Sequence, residues 1–564
     1  MRIKTISVAI AAVCAAGIGI AHAGSIAPGY TVVKLDPLPN SANLSPRALN
    51  DLGHVVGSLS ELTGQNIRLD LLDPEDFPDI EDLNNPSERE LRLIRDRLLF
   101  EDRFVLNPEF QKLAIELGFY FDGQVRELDG FDVIDDETGL RTDSADFRAL
   151  GLNNSGITVG QVGLPYFWLD AEDEDGDPIR FYTRDSFPVG AWTDGTTYRV
   201  LRGNDDVVQG GMASAVAIND NHLAVGYGSE RNGIRMNALL ELCQTPDEDA
   251  DNPDYLEPLE VCLWRFWFNN SGQRMGLRTP ITDERAFMWQ LDANGEVIEQ
   301  RSLGKAFDPD EDAEDGFATA RYKSIANDVS NMGHIVGTSE RVLDGFTLTR
   351  ATWFSDEGPI NLREGSDDTN SSHGIAVNDQ GIVVGYSNRV IAQQLKPRLF
   401  FIDLNDPSLE ATYPTGFVQN TGWRPRAINN AGLVVGTGEP VFTQATQPRS
   451  VGFVYDIAAD EVTDLNRFLP CDSNLTIVDA VDINDAGEIL ALALERITIE
   501  EGETSRQFTA TRSLILQPSS TENPACPGRD DLDTGERRGA SVSPLWLGLF
   551  SLIALITLRR RTRP

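Results

Sequence analysis

One eleven-residue pattern recurs along this chain. RALNDLGHVVG ends at Gly57, LGLNNSGITVG at Gly160, VAINDNHLAVG at Gly226, NDVSNMGHIVG at Gly337, IAVNDQGIVVG at Gly385, RAINNAGLVVG at Gly436 and VDINDAGEILA at Ala491. WFNNSGQRMG, ending at Gly276, is a weaker eighth copy with Arg274 at an apolar position. Successive ends lie 103, 66, 50, 61, 48, 51 and 55 residues apart. A unit repeating at this period cannot bury its apolar face alone and must stack on its neighbours.

Each copy reads as a β-hairpin. In residues 427–436, Asn429 opens the turn, Asn430 follows, and Gly432 is fourth. That order fits a type I turn followed by a left-handed residue, with the Asn side chain capping its own turn. Asn50 and Gly53, Asn153 and Gly156, Asn378 and Gly381, Asn429 and Gly432, and Asn484 and Gly487 are therefore read as turn residues, not ligands. Two copies depart from the pattern: His222 stands at a Gly position and Ser330 replaces the leading Asn.

A further apolar strand follows most hairpins, as in Ala286-Phe287-Met288-Trp289 and Gly452-Phe453-Val454-Tyr455. A fourth follows in Pro359-Ile360-Asn361-Leu362 and Val462-Thr463-Asp464-Leu465. Four short strands in about 50 residues make a β-propeller blade, with the aromatic stripes as core between blades. After the last hairpin, residues 512–517 supply a third strand and no fourth. Residues 31–35 are a lone fourth-type strand before the first hairpin. The expectation is an all-β, closed propeller of four-stranded blades, eight in number with seven as the alternative, over residues 24–518. Residues 59–117 break the β pattern. Asn85-Pro86 before SERELRLIRDRLLF, with Leu91, Ile94 and Leu98 on one face, and Asn107-Pro108 before EFQKLAIELG, predict one or two helices there.

The ends read as an address. Residues 1–23 combine basic Arg2 and Lys4, an apolar run and Ala21-His22-Ala23, the pattern of a signal peptide cut before Gly24 by signal peptidase. Residues 519–541 are a polar linker. Residues 542–564 hold an apolar run followed by Arg559, Arg560, Arg561 and Arg563, close to the shortest length that spans a membrane, with the arginines left in the cytoplasm. The chain has 88 acidic and 48 basic residues for a net charge of −40. That excludes the basic footprint a nucleic-acid phosphate backbone demands. Without the two basic signal residues and the four terminal arginines, the body carries −46. Cys14 leaves with the signal. The remaining four cysteines allow three pairings, of which closeness in sequence favours Cys243–Cys262 with Cys471–Cys526.

The unit AINxxGxVVG, then an aromatic strand near G/A-F, then xDL, is clearest over residues 427–465 and resembles the bacterial extracellular HAF repeat. Gly539-Ala540-Ser541, the apolar run and the arginines resemble GlyGly-CTERM sorting tails, with one Gly where that family has two or more. In that family a rhombosortase-like protease removes the tail and the protein passes to the cell surface; the alternative is a permanent membrane anchor. Residues 24–564 as a whole resemble an exported bacterial family known as a domain of unknown function. The resemblance implies a Gram-negative periplasmic or surface location and carries no activity.

No H-E-x-x-H, G-x-S-x-G or P-loop pattern is present. His54 and His334 each follow a turn Gly and read as strand positions. Two acidic runs alternate carboxylates near a Gly, as Ca²⁺-binding loops do: Asp308, Asp310 and Asp312, and Asp173, Asp175 and Asp177. Their other reading is a solvated acidic loop. A regular repeat without a catalytic constellation points to a non-enzymatic envelope scaffold that binds a protein or glycan. The rival readings are a carbohydrate-active hydrolase or lyase working at the channel mouth and an envelope structural protein.

Overall fold

The computed structural model describes residues 25–524 apart from 102–103, 105–106, 174, 246–254, 271–280, 309–321, 344–345, 363–369, 392, 418–419, 441–449 and 502–503. The signal, most of the linker and the C-terminal segment lie outside the described residues. Among the described residues no helix is long and apolar enough to cross a membrane.

Seven small antiparallel sheets stand in a ring, making a seven-bladed β-propeller. Blade one comprises Ser41–Leu49, Val55–Leu62, Glu116–Phe121 and Val125–Leu128. Blade two comprises Asp146–Leu152, Thr158–Gly163, Val189–Thr193 and Tyr198–Leu201. Blade three is Ala213–Ile218, Leu223–Asn232, Thr282–Leu291 and Val297–Gly304. Blade four is Ser324–Val329, Ile335–Leu343, Phe346–Ser355 and Gly358–Asn361. Blade six is Trp423–Ile428, Leu433–Gly438, Val451–Asp456 and Glu461–Asp464. Blade seven takes Leu475–Ile483, Ile489–Glu501 and Thr504–Ser519 from the end of the array. Its outer strand is Gly29–Leu35, with Leu35 opposite Ser513 and Thr31 opposite Gln517. The first strands of successive blades touch one another and so are innermost.

Two expectations are corrected, and a third is narrowed. Eight blades become seven. Trp267, Phe268, Asn269 and Asn270 of the weak copy end a helix, Leu259–Asn270, and Asn232 pairs directly with Thr282, so the segment between them is an insert within blade three. Blade five has three strands, Ser372–Val377, Ile382–Ile391 and Gln394–Asp403, not four. Past Asp403 the chain turns, with Asp406 Oδ1 accepting the Ser408 N–H, and among the described residues a single bridge, Thr412 to Phe401, returns to the sheet. In the blade-one insert, expected to hold one or two helices, the one long helix among the described residues is Glu88–Phe100. It is capped by Ser87 and Glu90, and buries Ile94 and Leu98. The second does not form. Lys112 Nζ donates to the carbonyls of Phe104, Asn107 and Phe110 at 2.5–2.9 Å, and the chain enters its strand at Glu116.

Each pair of neighbouring blades shares one apolar cluster, as the aromatic stripes predict. Phe119, Trp289, Phe400 and Phe453 are fully buried within them. The Gly that ends six of the seven repeats has a specific cause. Opposite it the innermost strand carries a β-bulge, between Pro425 and Ala427 in blade six. A Cβ on Gly436 would lie 2.1 Å from the Arg424 carbonyl oxygen, and one on Gly160 2.0 Å from that of Arg148.

Because hairpin connections alternate ends, every Asn turn lies at one end of the sheets. Every connection between second and third strands lies at the other. The large inserts all use that second position. They are residues 63–115 in blade one, a hairpin (Phe167–Glu172 with Pro178–Thr183) in blade two, and helices Ile234–Gln244 and Leu259–Asn270 in blade three. The Cys243–Cys262 disulfide joins those two helices as expected. Cys526, of the second expected pair, lies outside the described residues.

Replacing Gly436 with Ala is expected to destabilise the fold by about 1–3 kcal/mol, because the clash is with backbone that cannot yield like a side chain. Urea denaturation of G436A against the parent checks this; an unchanged midpoint refutes the bulge argument.

Candidate functional site

Two rings of hydrogen bonds surround the axis at the turn end. In each turn the leading Asn serves its own loop: Asn429 Oδ1 accepts the N–H groups of Ala431 (3.1 Å) and Leu433 (3.0 Å). The turn Gly, or His222 in its place, has positive φ, 79° at Gly432 and 60° at His222. The same Asn also reaches the next blade. Nδ2 of Asn50 donates to Asn153 O, Asn153 to Asn219 O, Asn219 to Ser330 O, Asn378 to Asn429 O, Asn429 to Asn484 O, and Asn484 to Asn50 O, at 2.9–3.2 Å. The step from blade four to five lacks this bond because Ser330 has no amide. The second turn residues form an outer ring. Each backbone N–H donates to the next blade's side-chain Oδ1 at 2.7–2.9 Å, through Asp51, Asn154, Asp220, Asn331, Asp379, Asn430 and Asp485 and back to Asp51.

Just inside these rings, a cavity of about 200 Å³ is lined by turn residues together with Asp328 and Asp482. These acids stand two residues before the turn opener, where other repeats carry Ala or Gly. Asp328 Oδ2 accepts Val377 N–H (2.9 Å) and Oδ1 accepts Val329 N–H (2.9 Å). Asp482 Oδ2 accepts Leu49 N–H (2.7 Å) and Oδ1 accepts Ile483 N–H (2.8 Å). Each carboxylate therefore bolts its blade to the next. Burial pushes Asp328 up to about 6 and Asp482 up to about 7, with a smaller contribution from neighbouring acids.

At the opposite, insert-bearing end lies a cleft of about 420 Å³ between the blade-one insert and the blade-two hairpin. Trp168 packs on Tyr182 (centroids 4.4 Å apart), and Tyr182 stacks on Tyr166 at 5.3 Å. Trp264 Nε1 donates to the Tyr166 hydroxyl at 3.1 Å, tying the blade-three helix into the same cluster. The polar wall is built just as tightly. Gln111 bonds Asn66 O and Arg68 N–H, both at 2.8 Å, and Arg68 pairs with Asp70, Asp135 and Glu137. The aromatic rings thus face arginines and amides across the cleft.

The turn residues come together around the axis. Asp173, Asp175 and Asp177 instead lie in the tight turn of the blade-two hairpin, where Asp173 Oδ1 accepts the N–H groups of Asp175 and Asp177. Asp308 is exposed and pairs with Lys305, while Asp310 and Asp312 lie outside the described residues. Among the described residues no three metal-ligating side chains converge. His54 Nδ1 lies 2.8 Å from the Tyr120 hydroxyl. Sequence reasoning passed over Asp328, Asp482, Trp168 and Tyr182. The first two carried a signal, an acid at a position otherwise held by Ala or Gly.

A family model described as "Protein of unknown function (DUF3466)" matches residues 4–561. No curated protein matches the chain. Among solved structures, TolB from Acinetobacter baumannii aligns over 43% of this chain and 50% of its own at 11% identity, with a TM-score of 0.23. The chain thus spans about half the length of that relative. A putative TolB from Agrobacterium tumefaciens aligns over 55% and 88% at 9% identity (TM-score 0.25). Trypanosoma rangeli sialidase aligns over 70% and 56% at 12% identity (TM-score 0.29).

Removing the amide in Asn429→Ala takes away three bonds, two of them buried, and is expected to cost about 2–4 kcal/mol, whereas Ser330→Asn, which supplies the missing donor, is expected to stabilise by about 1 kcal/mol. Chemical denaturation of both variants checks this. The raised carboxylates set a pH trend. Between the ordinary carboxylate range and about pH 7, the folded state holds protons that the unfolded chain has released, so stability falls as pH rises through that window and levels off above it. Melting curves from pH 5 to pH 8 should show a shallower decline in Asp328→Asn and Asp482→Asn than in the parent; identical slopes refute the assignment.

Proposed function

The chain belongs to the DUF3466 family, and on that footing we propose that it is an exported, non-enzymatic propeller scaffold that binds a glycan or a protein at the bacterial cell envelope. The observation that carries this reading is the concentration of inserts at one end of the propeller, around a cleft that sets Trp168 and Tyr182 against polar side chains. Loops on a rigid scaffold are where binding groups are placed, and an aromatic ring beside a largely polar wall suits a ligand with both ring faces and hydroxyl or charged groups. Further parts of the proposal are the HAF-type repeat, signal cleavage and a GlyGly-CTERM-like tail that is anchored or removed. The Cys243–Cys262 disulfide fits an oxidising compartment. Closure of the ring belongs here too. It is supported by the pairing of the N-terminal strand with the last blade and by the Asn484–Asn50 bond.

The enzymatic alternative draws on Asp328 and Asp482 at the axis. Against it, all four of their oxygens already accept backbone N–H groups. A glycan array and envelope-extract capture test the binding reading. Expected is a partner whose affinity falls at least tenfold in Trp168→Ala, with the melting temperature unchanged. Cleavage of a polysaccharide by the purified protein, lost in Asp482→Asn, would overturn it in favour of the enzyme.

A further inference from the structure

The innermost strands carry four exposed arginines, Arg47, Arg148, Arg424 and Arg426, in a chain whose acids outnumber its bases by 88 to 48. Arg47 and Arg426 are the extra residues of the bulges in blades one and six, skipped between Pro46 and Ala48 and between Pro425 and Ala427. A bulge re-aims its side chain, and on an innermost strand these two positions face the channel. Arg148 and Arg424 share a register of their own, each one residue before the residue opposite the repeat Gly. All four stand three or five residues before the turn Asn. At the rise of a strand that is about 10–17 Å above the Asn rings, toward the insert-bearing mouth.

Pairing among these groups is incomplete. Arg148 Nε bonds Glu116 at 2.7 Å, and Arg426 bonds Asp479 at 3.0 Å. Arg424 has no carboxylate partner among the described residues and lies over the Tyr386 ring at 5.1 Å. Arg47 has neither an ion pair nor a guanidinium hydrogen bond among them. Burial, first, pushes the Arg47 guanidinium below its ordinary range; repulsion from Arg148 and Arg426 adds to this, and attraction to Glu116 and Asp479 opposes it. Four guanidiniums thus have two carboxylates, Glu116 and Asp479, as direct partners, in a protein with acids to spare. Uncharged polar and aromatic partners line the same level. Gln161 bonds the Tyr227 hydroxyl at 2.9 Å, and Tyr386 stacks with His373 at 4.7 Å.

We infer that the channel is an oxyanion receptor, in which Arg47, flanked by Arg148, Arg426 and Arg424, takes a carboxylate or sulfate group of an acidic glycan. Guanidinium recognises such groups through paired N–H donors. The Tyr227 hydroxyl and Gln161 provide uncharged polar partners that sugar hydroxyls need and a bare anion does not. The surrounding acidic surface repels polyanions that lack this local match. The inference rests on the binding reading above, names its ligand class, and places a contact that the cleft does not supply.

Calorimetry on the full chain tests it with tetragalacturonate, with monomeric galacturonate and sodium sulfate as free oxyanions, and with maltotetraose as the neutral control. Expected is tetragalacturonate binding that weakens at least tenfold in Arg47→Gln, while the unliganded variant melts as the parent does because the Arg47 guanidinium holds no hydrogen bond or ion pair among the described residues. Arg92→Gln, on the exposed insert helix, should bind as the parent does. Equal binding by R47Q, equal binding of maltotetraose, or no binding of any anionic probe overturns the inference. Sulfate or monomer binding as tightly as the tetramer overturns the glycan assignment. Binding lost in W168A but kept in R47Q overturns the channel receptor and leaves the scaffold reading standing.

Discussion

The structure depends on an amide that bonds in two directions. A turn Asn that only capped its own loop would shape seven independent hairpins. Here the oxygen end closes the loop and the nitrogen end donates to the neighbouring blade. Local turn geometry and ring assembly are therefore one constraint. The apolar clusters between blades supply most of the free energy, but they are not directional. The polar bonds at the axis set how far each blade can rotate against the next. Where Ser330 breaks the amide chain, Asp328 spans the same junction with a carboxylate, so no step between blades is left without a polar tie.

Much of this was legible in the sequence. The turn residues, the strand order, the aromatic core and the N-terminal strand that joins the last blade all follow from local pattern and from a missing fourth strand. The blade count was not, because Asn269-Asn270 imitates a turn while the residues before it are helical, held in an insert whose two helices share a disulfide. A hairpin motif is local, and only the pairing of Asn232 with Thr282 shows that no blade fits between them. The reach of the Asn amides was equally hidden, since the acceptor lies a whole blade away in the sequence. The repeat's final Gly was visible as a pattern, but its cause, a carbonyl of the facing bulge, was not.

The same bulge explains where charge resides on the axis. A bulge needs a small residue opposite and frees the extra residue from sheet pairing. The extra residue is therefore open to variation without cost to the blade. In blades three and five it is Val216 and Ile375, and in blades one and six it is arginine. The axis ends up polarised, with carboxylates and amides at the turn end and guanidiniums further in, although the body as a whole is strongly acidic.

The outer ring of turn residues has a parity. Read around the axis it runs Asp51, Asn154, Asp220, Asn331, Asp379, Asn430, Asp485, an alternation in which each Asn sits between two carboxylates and separates them. An even ring could alternate throughout. Seven cannot, and the mismatch falls between Asp485 and Asp51, where the last blade meets the first and two acids are direct neighbours. Gaining or losing one blade by duplication or deletion would thus change more than the diameter. It would heal that defect if an Asn were gained at that junction or one of its two Asp residues were lost, and would otherwise add a second pair of like neighbours. The count of blades and the identity of a single turn residue are in this sense coupled, and a history of repeat gain in such rings should be readable in which junction holds the unmatched pair.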